Sequence, residues 1–174
     1  MYNNNREMLK ALPPGSTTIR RELVTEGQAF PEVGTLLVLG GDRMAAGTAS
    51  HEVTHILVHR GGTSLFRRIP SWLNEGLAEQ MEMLERDDSG LYFESHPENR
   101  WIVAKAREQG RLTGIDQFLK LPSNKWRHSD MSGSGSVRAQ AGQFVYFLLA
   151  KPTRRSFLVR LMHNFNRGDR TLSY

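Results

Sequence analysis

The sequence predicts a mainly helical α+β domain, with a short strand region towards the N-terminus and a helical C-terminal part. Its 174 residues suit one compact domain. Hydrophobic residues make up 39% and charged residues 24%, as is usual for globular proteins. Several segments also repeat apolar residues at the spacing of a helix. We therefore expect a single domain over residues 1–174, as the whole protein or as part of a longer one.

Membrane and targeting signals are weak in this sequence. No apolar run approaches the roughly 20 residues that a membrane-spanning helix needs. The opening segment MYNNNREMLK lacks the apolar centre of a signal peptide. We therefore expect no membrane span, and either a cytoplasmic location or an extracytoplasmic one reached through a segment that is removed. The sequence does not predict an oligomeric state.

The composition narrows the chemistry of any functional site. The chain has no cysteine, which excludes disulfides, thiolate metal ligands and cysteine nucleophiles, and leaves His, Asp and Glu as strong ligands. A net charge of +5 is compatible with binding to nucleic acid or to other anionic partners. However, apolar residues interleave with the densest basic stretch, residues 151–170, as on a surface helix. A solvated helix face is therefore favoured there over a nucleic-acid site.

Local signals in the first third of the chain predict two helices and a strand. The segment NREMLKAL predicts a helix that stops at Pro13 and Pro14. TLLVLG, residues 35–40, is a β-rich run between glycines and predicts a strand. Asp42 can cap a helix from about Arg43 to Arg60, which glycines end. Its predicted core face consists of Ala46, Ala49, Val53 and Ile56, beside a stripe of Thr48, His51, His55 and His59.

The remaining chain predicts further helices. Pro70 and Ser71 begin one that extends to about Leu84, with a core side of Leu73, Leu77, Met81 and Leu84. The segment RDDSG is polar and turn-prone. Later helices are predicted at residues 97–109, 137–150 and 153–166, with a short helical turn in GIDQFL. SDMSGSGS, residues 129–136, predicts a flexible loop.

The segment SHEVTHILVHR, residues 50–60, has the spacing of a metal-binding helix. Residues four apart lie one above the other on a helix, so His51 and His55 present two imidazoles that suit one zinc ion. Glu52 lies one step further round and can reach a water on that ion, where a general base acts. His59 would lie too far along the axis to share the ion. From this motif alone, an ordinary helix with exposed histidines remains the alternative.

A catalytic zinc site also needs a third protein ligand and an open position for water. Glu75 follows His55 after 19 intervening residues, which lets the first helix end, the chain reverse and a second helix return. Glu79 lies one turn beyond Glu75, where it can accept the other ring N–H of a ligating histidine. The alternative, in which both glutamates only solvate a surface helix, is less favoured.

HEVTH followed by PSWLNEGLAEQME resembles the gluzincin metallopeptidases, in particular the small peptidase MA-like domains of bacteria. About residues 22–168 fit this family. The resemblance implies a zincin-like metallopeptidase domain and one Zn²⁺ ion. It also implies that the strand at residues 35–40 forms a wall along which an extended peptide pairs. Residue by residue, it assigns the metal to His51, His55 and Glu75, the general base to Glu52 and outer support to Glu79.

Two departures from the family bear on activity. Related domains commonly have a tyrosine, a candidate transition-state stabiliser, before the alanine-glutamine pair of the late helix; this chain has Arg138 there. Arg138, His128 and Tyr146 are the alternatives for that role, and each also has a plain structural interpretation. The chain also lacks the Gly-x-Met-Glu-Asn segment of the related aminopeptidases, so aminopeptidase activity is not supported.

We therefore predict zinc-dependent hydrolysis of peptide bonds by an endopeptidase that acts on a peptide or protein substrate. The missing tyrosine motivates an alternative, in which the chain is a catalytically inactive zincin-like binding module. The net charge motivates a weaker alternative, a basic nucleic-acid-binding domain.

Overall fold

The computed structural model describes residues 27–30, 35–38, 43–88, 90–126 and 136–168. These residues form a mainly helical structure with two small antiparallel sheets, which confirms the predicted α+β class. The strands are β1 (Gly27–Phe30), β2 (Thr35–Val38), β3 (Leu84–Asp87) and β4 (Gly90–Phe93). The helices are α1 (Arg43–Arg60), α2 (Thr63–Arg68), α3 (Ser71–Glu82), α4 (Pro97–Glu108), α5 (Ile115–Leu119), α6 (Ser136–Leu149) and α7 (Pro152–Arg167). None of the described helices is long and apolar enough to cross a membrane.

The two sheets are antiparallel pairs of four-residue strands. In the first, Gly27 lies opposite Val38 and Phe30 opposite Thr35, and both strands pack on α1. β2 begins where the sequence predicts a strand, and residues 39–40 lie outside the described residues. The second hairpin, β3–β4, and strand β1 were not predicted. Most of β3 is polar and exposed, so it lacks the apolar alternation that indicates a strand.

Helix α1 has the predicted bounds, but its predicted core face is wrong in part. Val53 is exposed, whereas His51 and Thr54 are buried. Of the four predicted core residues, only Ile56 is buried. The reason is that α3 packs against the histidine side of α1, so this side turns inwards. Within the histidine stripe, His51 is therefore buried, while Thr48, His55 and His59 are half-buried.

The later helices lie close to their predicted positions. Helix α3 ends at Glu82, not at Leu84, because Leu84 begins β3. Helix α4 differs from prediction by one residue at its end, and α6 and α7 differ by one residue at both ends, whereas α2 was not predicted. The predicted N-terminal helix and the Asp42 cap lie outside the described residues. So does the loop predicted at residues 129–136, except for Ser136, which begins α6.

The hydrophobic core lies between α3, α5, α6 and α7. Trp72 on α3 packs edge-on against Phe144 on α6, with 5.3 Å between ring centroids, and Phe118 of α5 lies 6.2 Å from both rings. Aromatic pairs at these separations stabilise a core beyond the area that they bury. The buried residues of this core are Trp72, Leu73, Phe118, Trp126, Val137, Ala141, Val145, Leu148, Leu158 and Leu161. The core anchors one side of α3 and leaves its other side to face α1.

Two glycines allow α3 and α6 to approach closely. A Cβ on Gly76 of α3 would lie 2.6 Å from Val145 Cγ2 and 2.7 Å from the Ala141 carbonyl oxygen. A Cβ on Gly142 of α6 would lie 3.1 Å from Glu79 Cβ of α3 and 2.7 Å from Asn99 Nδ2 of α4. The buried Gln80 side chain also donates a 3.0 Å hydrogen bond to the Gly142 carbonyl oxygen. These contacts fix the position of α3 relative to α6.

Replacement of Gly76 by alanine should destabilise the protein. The added methyl group would overlap a backbone carbonyl that cannot move without shifting α6, so we expect a loss of roughly 1–3 kcal/mol in the free energy of unfolding. Urea unfolding followed by circular dichroism measures this loss. Gly47→Ala is the matched control, because no atom of the described residues lies within 4 Å of a Cβ there. It should be neutral or stabilising, and equal losses in the two variants would contradict the packing argument.

Candidate metal centre

Helices α1 and α3 bring the three predicted metal ligands together. His51 Nε2 lies 3.5 Å from Glu75 Oε2, and His55 Nε2 lies 3.8 Å from Glu75 Oε1. The two imidazole rings stand nearly perpendicular, at 79°, with centroids 4.9 Å apart. One ligand atom from each of the three residues lies within 4.8 Å of the other two. Glu75 follows the histidines by 20 or more residues in the sequence, and the packing of the two helices brings it next to them.

This donor set fits a zinc ion. Zinc is bound tetrahedrally at about 2.0–2.2 Å from nitrogen and oxygen ligands, which separates neighbouring ligand atoms by about 3.4 Å. The two distances from the histidines to Glu75, 3.5 and 3.8 Å, end on different oxygens of its carboxylate and are close to this value. Two imidazoles and one carboxylate are also a ligand combination typical of catalytic zinc, and they leave a fourth position open. Groups of this kind suit zinc better than calcium or magnesium, which prefer oxygen ligands alone.

Glu52 lies beside these ligands and is held by strand β1. Its carboxylate accepts a hydrogen bond from the backbone N–H of Ala29, and it is half-buried. Burial raises the pKa of the Glu52 carboxyl above its usual value, and the Glu75 charge adds to this, although His51 and His55 oppose it. A carboxylate with a raised pKa is a better proton acceptor near neutral pH. The hydrogen bond to Glu52 thus comes from β1. Residues 35–40, which the resemblance assigns to the substrate wall, overlap the neighbouring strand β2.

His51 has a hydrogen-bond partner that the sequence analysis did not identify. Its Nδ1 lies 2.5 Å from Glu82 Oε1 but 3.8 Å from Glu79 Oε1. The first distance is a strong hydrogen bond and the second is too long for one. The structure therefore gives Glu82 the contact that was predicted for Glu79. The spacing offered a signal, because Glu75, Glu79 and Glu82 occur at i, i+4 and i+7 and share a helix face.

Glu79 instead supports the surroundings of the site. Its side chain is buried, and Oε2 accepts a 2.7 Å hydrogen bond from Asn99 of α4. Oε1 accepts a hydrogen bond from the Arg138 Nε–H group. A buried carboxylate is stable only when its charge is paired and hydrogen-bonded, and these two donors meet that need. Glu79 thereby joins α3 to both α4 and α6.

Arg138 projects from α6 into the same cluster. Its Nη2 lies 3.1 Å from His51 Nδ1, 3.2 Å from His51 Nε2 and 3.7 Å from Glu82 Oε1. The guanidinium group therefore lies against a predicted metal ligand. Tyr146, another candidate stabiliser, lies eight residues and about 12 Å further along α6. His128, the third candidate, lies outside the described residues.

The pKa values of the cluster describe the site without metal. Burial lowers the pKa of His51, but hydrogen bonds to Glu75 and Glu82 outweigh it and raise this pKa from 6.5 to about 9. Burial raises the pKa of the Glu75 and Glu82 carboxyls, yet the hydrogen bond and charge of His51 lower both below their usual values. At neutral pH the metal-free site therefore contains a protonated His51 between two ionised glutamates.

Comparison of the chain with protein-family models, curated proteins and solved structures gives no match.

Without metal, the stability of the protein should fall as the pH rises from 6.5 to 9. A histidine whose pKa is raised by folding stabilises the folded state fully below its unfolded pKa, near 6.5, and this contribution is lost as the pH passes about 9. We expect the Tm in chelator to fall by on the order of 5 °C over this interval. Thermal unfolding followed by circular dichroism measures the fall.

His51→Gln should flatten this pH dependence, since glutamine does not titrate. His163→Gln is the matched control, because His163 is an exposed histidine on α7 outside the cluster. An unchanged slope in His51→Gln would contradict the assignment of the titration to His51.

Proposed function

We propose that this chain is a zinc-dependent peptidase with a zincin-like fold, and that it hydrolyses internal peptide bonds. The observation that carries the proposal is the convergence of His51, His55 and Glu75 within 4.8 Å, with Glu52 adjacent to them. Two sequence motifs far apart in the chain thus form one site with the donors of a catalytic zinc centre. Helices α1 and α3 and the β1–β2 hairpin are the elements of the zincin-like domain under this proposal.

Each member of the cluster has a distinct task in this proposal. His51 and His55 bind the ion through Nε2, the ring nitrogen that faces Glu75 in each case, and Glu75 completes the protein ligands. When bound, zinc supplies Lewis acidity, which acidifies water and polarises carbonyl groups. The partly buried position of the ligands limits access of bulk water, which strengthens electrostatic effects at the site.

Glu52 is the proton carrier of the proposed reaction. Its carboxylate takes a proton from the attacking water and passes it to the amine that leaves when the peptide bond breaks. The Ala29 N–H group holds one side of this carboxylate, and burial raises its pKa towards the range in which proton transfer in both directions is efficient. Glu52 is thus oriented by β1 and α1 together, without being a ligand itself.

The substrate class rests on the family resemblance of HEVTH and PSWLNEGLAEQME. Metallopeptidases with this pair of motifs act on peptide bonds, and the chain lacks the segment by which the related aminopeptidases hold a free amino terminus. This combination favours an endopeptidase.

Loss of any ligand should abolish stoichiometric zinc binding. We expect one zinc per wild-type chain after dialysis and less than about 0.1 in His51→Ala or Glu75→Ala, since two remaining protein ligands hold zinc weakly. Elemental analysis of the purified chains measures the ratio. His163→Ala is the matched control and should retain one zinc. Full occupancy in both ligand variants would exclude this site.

Glu52→Gln should retain zinc and lose activity. Glutamine preserves the shape of the side chain but cannot accept the proton, so hydrolysis of a fluorogenic peptide library should fall at least 100-fold. Zinc content measured on the same sample separates this effect from metal loss. Full activity in Glu52→Gln would contradict the role of Glu52. A wild-type chain that holds zinc but cleaves no peptide of the library would instead support the inactive binding module.

A further inference from the structure

Helix α3 ends in a carboxylate that the proposed reaction does not use. Glu82 is the last residue of α3, and its Oε1 accepts the 2.5 Å hydrogen bond from His51 Nδ1. A carboxylate can only accept, so this contact places the proton of the imidazole on Nδ1. Protonated His51 carries a proton on both nitrogens; once the Nε2 proton is lost, Nε2 is the nitrogen available to bind a metal, and it faces Glu75.

We propose that Glu82 is the positioning residue of this centre: it fixes the tautomer and the ring orientation in which His51 binds zinc. The inference rests on the proposed function, since it takes His51 as a ligand. Outer carboxylates that bond the second nitrogen of a ligating histidine act in this way in other zinc sites. The family resemblance gave this task to Glu79, one turn earlier on the helix.

The geometry favours Glu82 over Glu79 for two reasons. Glu79 Oε1 lies 3.8 Å from His51 Nδ1, beyond hydrogen-bond distance. Both Glu79 oxygens are also engaged elsewhere, one by Asn99 and the other by Arg138. A shift of Glu79 towards His51 would have to break these contacts, which leaves a buried carboxylate with fewer donors.

The surroundings of Glu82 hold its carboxylate in place. A carboxylate at the C-terminal end of a helix is disfavoured by the helix dipole, so a nearby positive charge stabilises it. Arg138 Nη2 lies 3.7 Å from Oε1, and His96 Nε2 lies 4.0 Å from Oε2. The side chain is only 21% exposed, so these contacts and the hydrogen bond from His51 limit its movement.

The two proposed histidine ligands differ in the partner of their Nδ1 atoms. In the described part of the chain, the buried Nδ1 of His55 has no hydrogen-bond partner. His51 is thus the imidazole whose orientation is fixed by a carboxylate, and Glu82 is the residue that fixes it. Removal of such an outer partner typically weakens metal binding 10- to 100-fold.

Zinc affinity of the metal-free chain tests the proposal directly. The apparent Kd is measured by competition with a chromophoric zinc chelator for the wild type, Glu82→Ala and Glu82→Gln. Glu85→Gln is the matched control. Glu85 lies three residues away on β3 and is exposed, and its replacement by glutamine removes the same charge as Glu82→Gln. We expect a 10- to 100-fold weaker Kd in Glu82→Ala and an unchanged Kd in the control.

The Kd of Glu82→Gln should lie between the Kd of Glu82→Ala and that of the control. Its amide oxygen still accepts the His51 Nδ1–H bond, but the negative charge is lost, so part of the affinity is rescued. The visible absorption spectrum of the Co²⁺-loaded chain provides a second readout, because it reports the geometry of the ligands around the metal. It should change in Glu82→Ala and stay close to the wild type in Glu82→Gln. If Glu82 served only in packing, its variants would change the stability of the chain, but zinc affinity would not decrease in the order wild type, Glu82→Gln, Glu82→Ala.

The outcomes separate the two proposals. If the wild type binds zinc and both Glu82 variants bind it within twofold, Glu82 is not the positioning residue, while the proposed function stands. If the wild type itself binds no zinc, the proposed function fails, and this inference fails with it. Should Glu82→Ala not fold, as judged by circular dichroism, the Kd of Glu82→Gln decides the question: a Kd more than twofold weaker than that of the wild type supports the proposal, and a Kd within twofold overturns it.

Discussion

The close packing of α3 between α6 and α1 is the constraint on which the candidate site depends. Gly76 and Gly142 remove the side chains that would keep α3 and α6 apart, and Trp72 and Leu73 fill the core on that side. Because α3 is fixed there, its opposite face stands at a fixed distance from α1. Glu75 can then approach His51 and His55 to within 3.8 Å without backbone movement. A site of this kind needs its ligands held by packing, because small displacements of rigid helices alter ligand distances directly.

Charge is the second organising feature of the cluster. Glu52, Glu75, Glu79 and Glu82 converge on one region, and carboxylates buried together are stable only with cationic partners. Arg138 and Asn99 provide donors for Glu79, while His51 contacts both Glu75 and Glu82. In the metal-free state a proton on His51 supplies the positive charge between these two carboxylates. Under the proposed function, a zinc ion on Nε2 would carry more positive charge to the same place.

The positions of the two helices that bear the site were predicted well from the sequence. The orientation of these helices relative to each other was predicted less well. The Asp42 cap signal and the glycines after Arg60 gave the bounds of α1, and Pro70 and Ser71 placed the start of α3 correctly. The predicted ligands do lie together, because the spacing of His51, His55 and Glu75 leaves room for a helix, a reversal and a second helix. Which of Glu79 and Glu82 reaches His51 depends on the angle at which α3 crosses α1, and no local pattern encodes it. The inward turn of His51 and Thr54 was missed for the same reason, since α3 decides which face of α1 is buried.

Arg138 shows how such long-range geometry alters the interpretation of a residue. At the position where related domains commonly have a tyrosine, an arginine suggested a stabiliser of the transition state. In the structure its guanidinium is bonded to Glu79 and lies against the His51 ring. Its charge opposes protonation of His51, whereas Glu75 and Glu82 favour it. The neutral imidazole is the form that binds a metal. Under the proposed function, Arg138 would therefore offset the excess of carboxylates and assist the loss of the His51 proton that zinc would displace.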